Sequence, residues 1–122
     1  GRAFCAGADI GFESRASEAD FAGFIDALQD LARLLRTSDL FVVAALNGIA
    51  VGGGAELALG CDARIVAPDS LMGFPEVNLG LTVTGGVTFT LPRLIGTSHA
   101  LELLVSGRTI SADEALSPST SP

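Results

Sequence analysis

The chain has 122 residues, 48% of them apolar, with 15 glycines and a formal net charge of −7, which suits one globular, turn-rich α/β domain rather than a disordered chain. The acidic balance, the absence of Trp and Tyr and the modest count of seven Phe argue against a basic, base-stacking nucleic-acid surface. Cys5 and Cys61, with no secretory leader ahead of them, point to reduced thiols in a cytoplasmic protein and not to a disulfide framework.

In chain order, Arg2–Cys5 reads as the end of a strand running into the loop Ala6-Gly7-Ala8-Asp9. Ser17-Glu18-Ala19-Asp20 resembles a capping box with Ser17 as N-cap. Behind it Phe21, Phe24, Ile25, Leu28, Leu31, Ala32 and Leu35 recur at helical spacing, which predicts an amphipathic helix ending near Thr37. Phe41-Val42-Val43-Ala44-Ala45 is a continuous apolar run, predicting a strand buried on both faces. The stretch from Phe41 to Gly60 is apolar enough to mimic a membrane span. Asn47-Gly48, five glycines and Glu56 instead break it into strand, turn and helix. Arg64–Ala67 reads as another buried strand and Leu71–Phe74 as a shorter one. Gly85-Gly86 opens a helix toward Leu91 that ends at Pro92, Ser98 caps a helix through Leu104, and Ser111 caps a last one over Asp113–Leu116. The order predicts α/β layering with parallel strands.

Three places carry potential chemistry. Gly52-Gly53-Gly54, between a strand and a helix, lets main-chain N–H groups face an anion or a developing oxyanion. The same glycines equally suit a close strand–helix packing turn. Glu56 lies in the first helical turn after them, where the helix dipole favours a carboxylate. Its neighbours Ala55, Leu57, Ala58 and Leu59 are apolar, so burial could bring it into acid/base range. Glu76, in Phe74-Pro75-Glu76-Val77, is a loop carboxylate that matters only if it converges with Glu56, because paired carboxylates can divide acid and base roles. His99 reads as a helix-start residue, Cys5 as an unactivated thiol, and Ser70 lacks a nucleophile elbow. No ligand cluster for zinc is visible.

Taken together, six segments resemble the crotonase superfamily, the enoyl-CoA hydratase/isomerase family, in the family's order. They are Phe4–Ile10, Asn47–Leu57, Cys61–Ala67, Phe74–Gly80, Leu91–Gly96 and Gly107–Ala115. The resemblance implies a spiral of ββα units and an acyl-CoA thioester substrate, with coenzyme A part of that substrate and no separate cofactor or metal. It also implies a homotrimer or dimer of trimers with no nucleic-acid or membrane partner, and a setting in fatty acid metabolism. By position, Ala8 and Gly53 would supply the N–H groups of an oxyanion hole, each worth about 3–4 kcal/mol of barrier. Ala6, Gly7, Asp9 and Ile10 would line the substrate site. Glu56 and Glu76 would be the catalytic pair, for syn addition of water to a trans-2-enoyl-CoA. Within the family a double-bond isomerase or an acyl-CoA hydrolase is the alternative, and outside the enzymes a catalytically inactive acyl-CoA-binding fragment.

The chain also departs from the family pattern. Gly11 stands where the family often has a Lys that touches coenzyme A phosphates, and the bulk negative charge does not help a polyanionic substrate. Val83-Thr84-Gly85-Gly86-Val87-Thr88 replaces the usual Pro-Gly-Ala-Gly-Gly-Thr. The resemblance lacks the family's opening strands and closing helices, so both ends read as truncated. Residues 1–116 are expected to form the central part of the domain and 117–122 a disordered tail.

Overall fold

A computed structural model describes residues 1–117. Of the expected tail, Ser117 is the C-terminal cap of the last helix, and 118–122 lie outside the described residues.

The elements are β1 (Ala3–Cys5), α1 (Ile10–Arg15), α2 (Glu18–Thr37), β2 (Val43–Leu46), β3 (Ile49–Val51), α3 (Gly53–Gly60), β4 (Ala63–Val66), β5 (Leu71–Gly73), a 3-10 helix (Pro75–Leu79), α4 (Val87–Ile95), α5 (Thr97–Ser106), β6 (Thr109–Ser111) and α6 (Ala112–Leu116). One sheet has the order β1-β3-β5-β6 and the other is the pair β2-β4. From β1 to β5, consecutive strands therefore alternate between sheets: β2 and β3 precede α3, then β4 and β5 precede the 3-10 helix and α4. Each ββα turn adds one parallel strand to each sheet, Val43 pairing with Ala63 and Ala50 with Met72. This is the spiral expected. Only β6, antiparallel to β5, departs from the parallel expectation.

Small side chains let the layers approach. One core cluster joins Ala55, Leu59, Phe74, Val87, Leu91 and Ala100, and a second joins Ala44, Leu46, Ala50 and Ala58. Ser70 straps the layers by donating its hydroxyl to the Leu46 carbonyl at 2.9 Å. Ser17 caps α2 through Asp20 N–H and Ser111 caps α6 through Glu114 N–H, as predicted.

Several expectations are corrected. The run at Phe41–Ala45 is not buried on both faces: β2 begins at Val43, alternates exposed and buried residues, and leaves Phe41 76% exposed. The expected buried strand at Arg64–Ala67 is β4, with Ile65 67% exposed. Both belong to the two-stranded sheet, which has one face uncovered among the described residues. Pro92 lies inside α4 rather than at its end, and α5 starts after Gly96 rather than being capped by Ser98. None of the helices among the described residues is long and apolar enough to cross a membrane.

Candidate active site

The site is built where β1 and α3 touch. A Cβ at Gly54 would collide with the Cys5 carbonyl, so glycine there lets the start of α3 lie directly on β1. That contact brings the loop after β1 alongside the loop before α3. A Cβ at Gly7, where φ is +92°, would stand 3.7 Å from Gly53 N and 3.1 Å from the Val51 carbonyl. Gly52 turns the chain into α3 with φ +56° and ψ −130°, a conformation glycine adopts readily. Gly53 is the first residue of α3, so its N–H has no acceptor within the helix.

These groups open onto a cavity of about 510 Å³. Ala6, Gly7, Ala8, Ile10, Gly53, Glu56 and Glu76 all line it. Asp9 does not; its carboxylate caps α1 by accepting from Phe12 N–H at 3.1 Å. The opposite wall is the apolar stripe of α2, including Phe21, Phe24, Ile25 and Leu28. The helical periodicity that reads as core packing thus serves as a cavity wall, and only Ala32 of α2 is fully buried. Cys5 lines the cavity as a half-buried thiol, and His99 is not among the lining residues.

Glu56 is buried and both its carboxylate oxygens are occupied. Thr84 N–H donates to Oε1 at 2.7 Å and the Thr84 hydroxyl to Oε2 at 2.7 Å. Gly85 and Gly86, both in the left-handed region, turn Thr84 toward the glutamate, and Arg36 from the end of α2 donates to the Gly85 carbonyl at 2.7 Å. Glu76 sits differently. Pro75 starts the 3-10 helix, Glu76 Oε1 lies over Gly52, and Oε2 is buried without a hydrogen-bond partner among the described residues. Burial pushes the Glu76 carboxyl above its ordinary value of 4.5. A hydrogen bond from its own main chain offsets this in part, and the negative charges of Glu56 and Glu13 push it up further. No group of three or more His, Cys, Asp or Glu among the described residues is arranged to hold a metal ion.

A sequence model of the enoyl-CoA hydratase/isomerase family matches residues 1–118. The chain belongs to that family. Over 114 residues it is 45% identical to a crotonyl-CoA hydratase of Syntrophomonas wolfei, covering 93% of this chain and 44% of that protein. It is 46% identical to a peroxisomal bifunctional enzyme of Cavia porcellus, covering 93% of this chain and 15% of that one. An enoyl-CoA hydratase structure from Thermoplasma volcanium superposes with a TM-score of 0.87 at 38% identity, over 95% of this chain and 47% of that one. The chain therefore spans less than half the length of these members of the enoyl-CoA hydratase/isomerase family.

Thr84, Arg36 and Glu13 were not singled out from the sequence. A Thr between Val83 and Gly85 reads as loop polarity, and Arg36 reads as a cation suited to a helix C-terminus. The one available signal is that Thr84 falls in the segment that departs from the family's usual glycine-rich run.

Proposed function

We propose that this chain carries the catalytic centre of an enoyl-CoA hydratase, adding water to a trans-2-enoyl-CoA. The observation that carries the reading is one cavity lined by two carboxylates in opposite environments, beside the Ala8 and Gly53 main chain. Glu56, already an acceptor at both oxygens, takes a proton from water as the water oxygen bonds to the β-carbon. The alkene electron pair moves toward the thioester oxygen, where the N–H groups of Ala8 and Gly53 stabilise the developing charge more than the ground-state carbonyl. Glu76, whose proton is favoured by burial, delivers it to the α-carbon as the carbonyl reforms. The Glu76 proton and the water-derived hydroxyl thus add from one face, and the pair resets when a proton returns from Glu56 to Glu76 through solvent.

The apolar wall from α2 suits an acyl chain. Coenzyme A enters as part of the substrate and no separate cofactor takes part. Arg15, whose Nη1 lies 3.4 Å from where a Gly11 Cβ would stand, supplies positive charge near the position where the resemblance lacks its Lys. Assembly into trimers or pairs of trimers belongs to the same proposal, and exposed apolar side chains such as Leu40, Phe41 and Ile65 offer surface for such contacts.

The test is hydration of crotonyl-CoA, followed as loss of the conjugated thioester absorbance, by the protein as its gene encodes it. Glu56→Gln and Glu76→Gln should each lower kcat by about 10²–10⁴-fold. Wild-type rates in both variants, or a double-bond shift without water uptake, would sink the hydratase reading.

A further inference from the structure

We propose that Thr84 is the positioning residue for Glu56, chelating its carboxylate through main chain and side chain at once. The proposal rests on the hydratase reading and adds to it the group that orients the base. Thr84 N–H reaches Oε1 and Thr84 Oγ1 reaches Oε2, both at 2.7 Å. Because both donors belong to one residue, any rotation of the carboxylate plane breaks both bonds together. A carboxylate has about four acceptor sites, so two remain for a water.

The support behind Thr84 is rigid. Gly85 and Gly86 have φ of +59° and +79°. A Cβ on Gly85 would stand 3.1 Å from Glu56 Oε2 and 3.7 Å from the Ala32 Cβ, so α2, α3 and this loop meet closely at the carboxylate. Arg36 Nη1 holds the Gly85 carbonyl at 2.7 Å. A main-chain donor alone would grip only Oε1; the hydroxyl closes the second arm.

The charged and titratable groups around Glu56 are Glu76 from the 3-10 helix, Glu13 from α1, Cys5 from β1 in the shared cavity, and the Arg36 guanidinium through Gly85. Loss of the hydroxyl leaves Oε2 without its donor while the N–H grip on Oε1 stays.

Thr84→Val removes the hydroxyl, keeps the N–H and is nearly isosteric; Thr84→Ser restores the hydroxyl. With crotonyl-CoA, Thr84→Val should lose roughly 10–100-fold in kcat, in line with one hydrogen bond to a charged group, and Thr84→Ser should recover most of it. Crystal structures of the variants read the clamp without turnover: the Glu56 carboxylate should leave its present orientation in Thr84→Val and keep it in Thr84→Ser. An unchanged Glu56 carboxylate orientation in Thr84→Val, or equal losses in Thr84→Val and Thr84→Ser, overturns the proposal. If Thr84→Val does not fold, Thr84→Gly against Thr84→Ser makes the same comparison, since both keep the N–H. A fully active Glu56→Gln would remove the hydratase reading, and the carboxylate orientation in Thr84→Val would then decide the clamp by itself.

Discussion

Glu56 and Glu76 line the same cavity on contrasting supports. Glu56 stands on an eight-residue helix pressed against β1, buried, with donors on both oxygens and an arginine bracing the loop that supplies them. Glu76 stands on a five-residue 3-10 helix with no fully buried residue, and one of its own oxygens is buried without a partner among the described residues. The first environment holds a carboxylate as an acceptor, and the second favours the protonated acid. Two identical side chains thus acquire different environments, the arrangement that the proposed division into an acid and a base requires.

The sharpest way to break this comparison is to disturb the platform under each carboxylate. Under Glu56 the contact is between backbones: a Gly54→Ala methyl would meet the Cys5 carbonyl and lie 2.8 Å from the Cys5 Cβ. Neither β1 nor α3 can step aside cheaply. Gly54→Ala should cost about 3 kcal/mol in denaturant unfolding, with loss of the proposed hydration activity. Wild-type stability in that variant would mean that α3 does not rest on β1 as described.

Under Glu76 the contact is softer. Gly107, which has φ +63°, packs behind the 3-10 helix, and a Cβ there would meet Val77 Cγ1 at 2.9 Å and Asn78 Nδ2 at 2.8 Å. Those are side-chain ends that can turn away. Gly107→Ala should therefore cost mainly the strain of a left-handed alanine, about 1–2 kcal/mol. If it proved as costly as Gly54→Ala in the same unfolding experiment, the Glu76 support would be as rigid as the Glu56 support and the contrast would fail.

How much of this was legible beforehand differs between fold and site. The Ser17 and Ser111 caps and the apolar period of α2 are local signals, and the helices they announce form where expected. β3 and β6 are only three residues long, too short for a period to emerge, and β3 hides between the Asn47-Gly48 turn and the triple glycine. α1 was hidden in the loop after β1, because its cap is the Asp9 carboxylate within a motif that reads as turn. The apolar run before Asn47 suggested full burial, yet strands that alternate between two sheets leave the smaller sheet half-covered. At the site, the glycines and both glutamates stood out for their apolar and proline-bounded settings. Their meeting did not, because Glu56 and Glu76 reach the cavity from different ββα turns; only the family resemblance linked them. The Thr84 clamp depends on two consecutive left-handed glycines and an arginine far away in the chain, a conjunction no local pattern announces.

The smallest expected effect concerns Glu76 alone and separates its strain from its catalysis. Its folded-state carboxyl is raised above the ordinary 4.5, chiefly by burial. An acid whose value rises on folding favours the folded state while protonated, so its contribution is full below the ordinary value. That contribution is lost as pH climbs through the raised one. Once pH has climbed past the raised value the ionised Glu76 works against folding, with an oxygen that has no hydrogen-bond partner among the described residues. Glu76→Gln removes the charge while keeping the shape. Its thermal midpoint should lie slightly above wild type at pH 7 and converge with it as the pH falls below 4.5, even though the same variant should lose the proposed catalysis. The gain should be modest, because the group is only half-buried and solvent screens much of the cost. A Glu76→Gln protein less stable than wild type at pH 7, or a difference that grew toward acid, would show that Glu76 is held by a partner and is as well supported as Glu56.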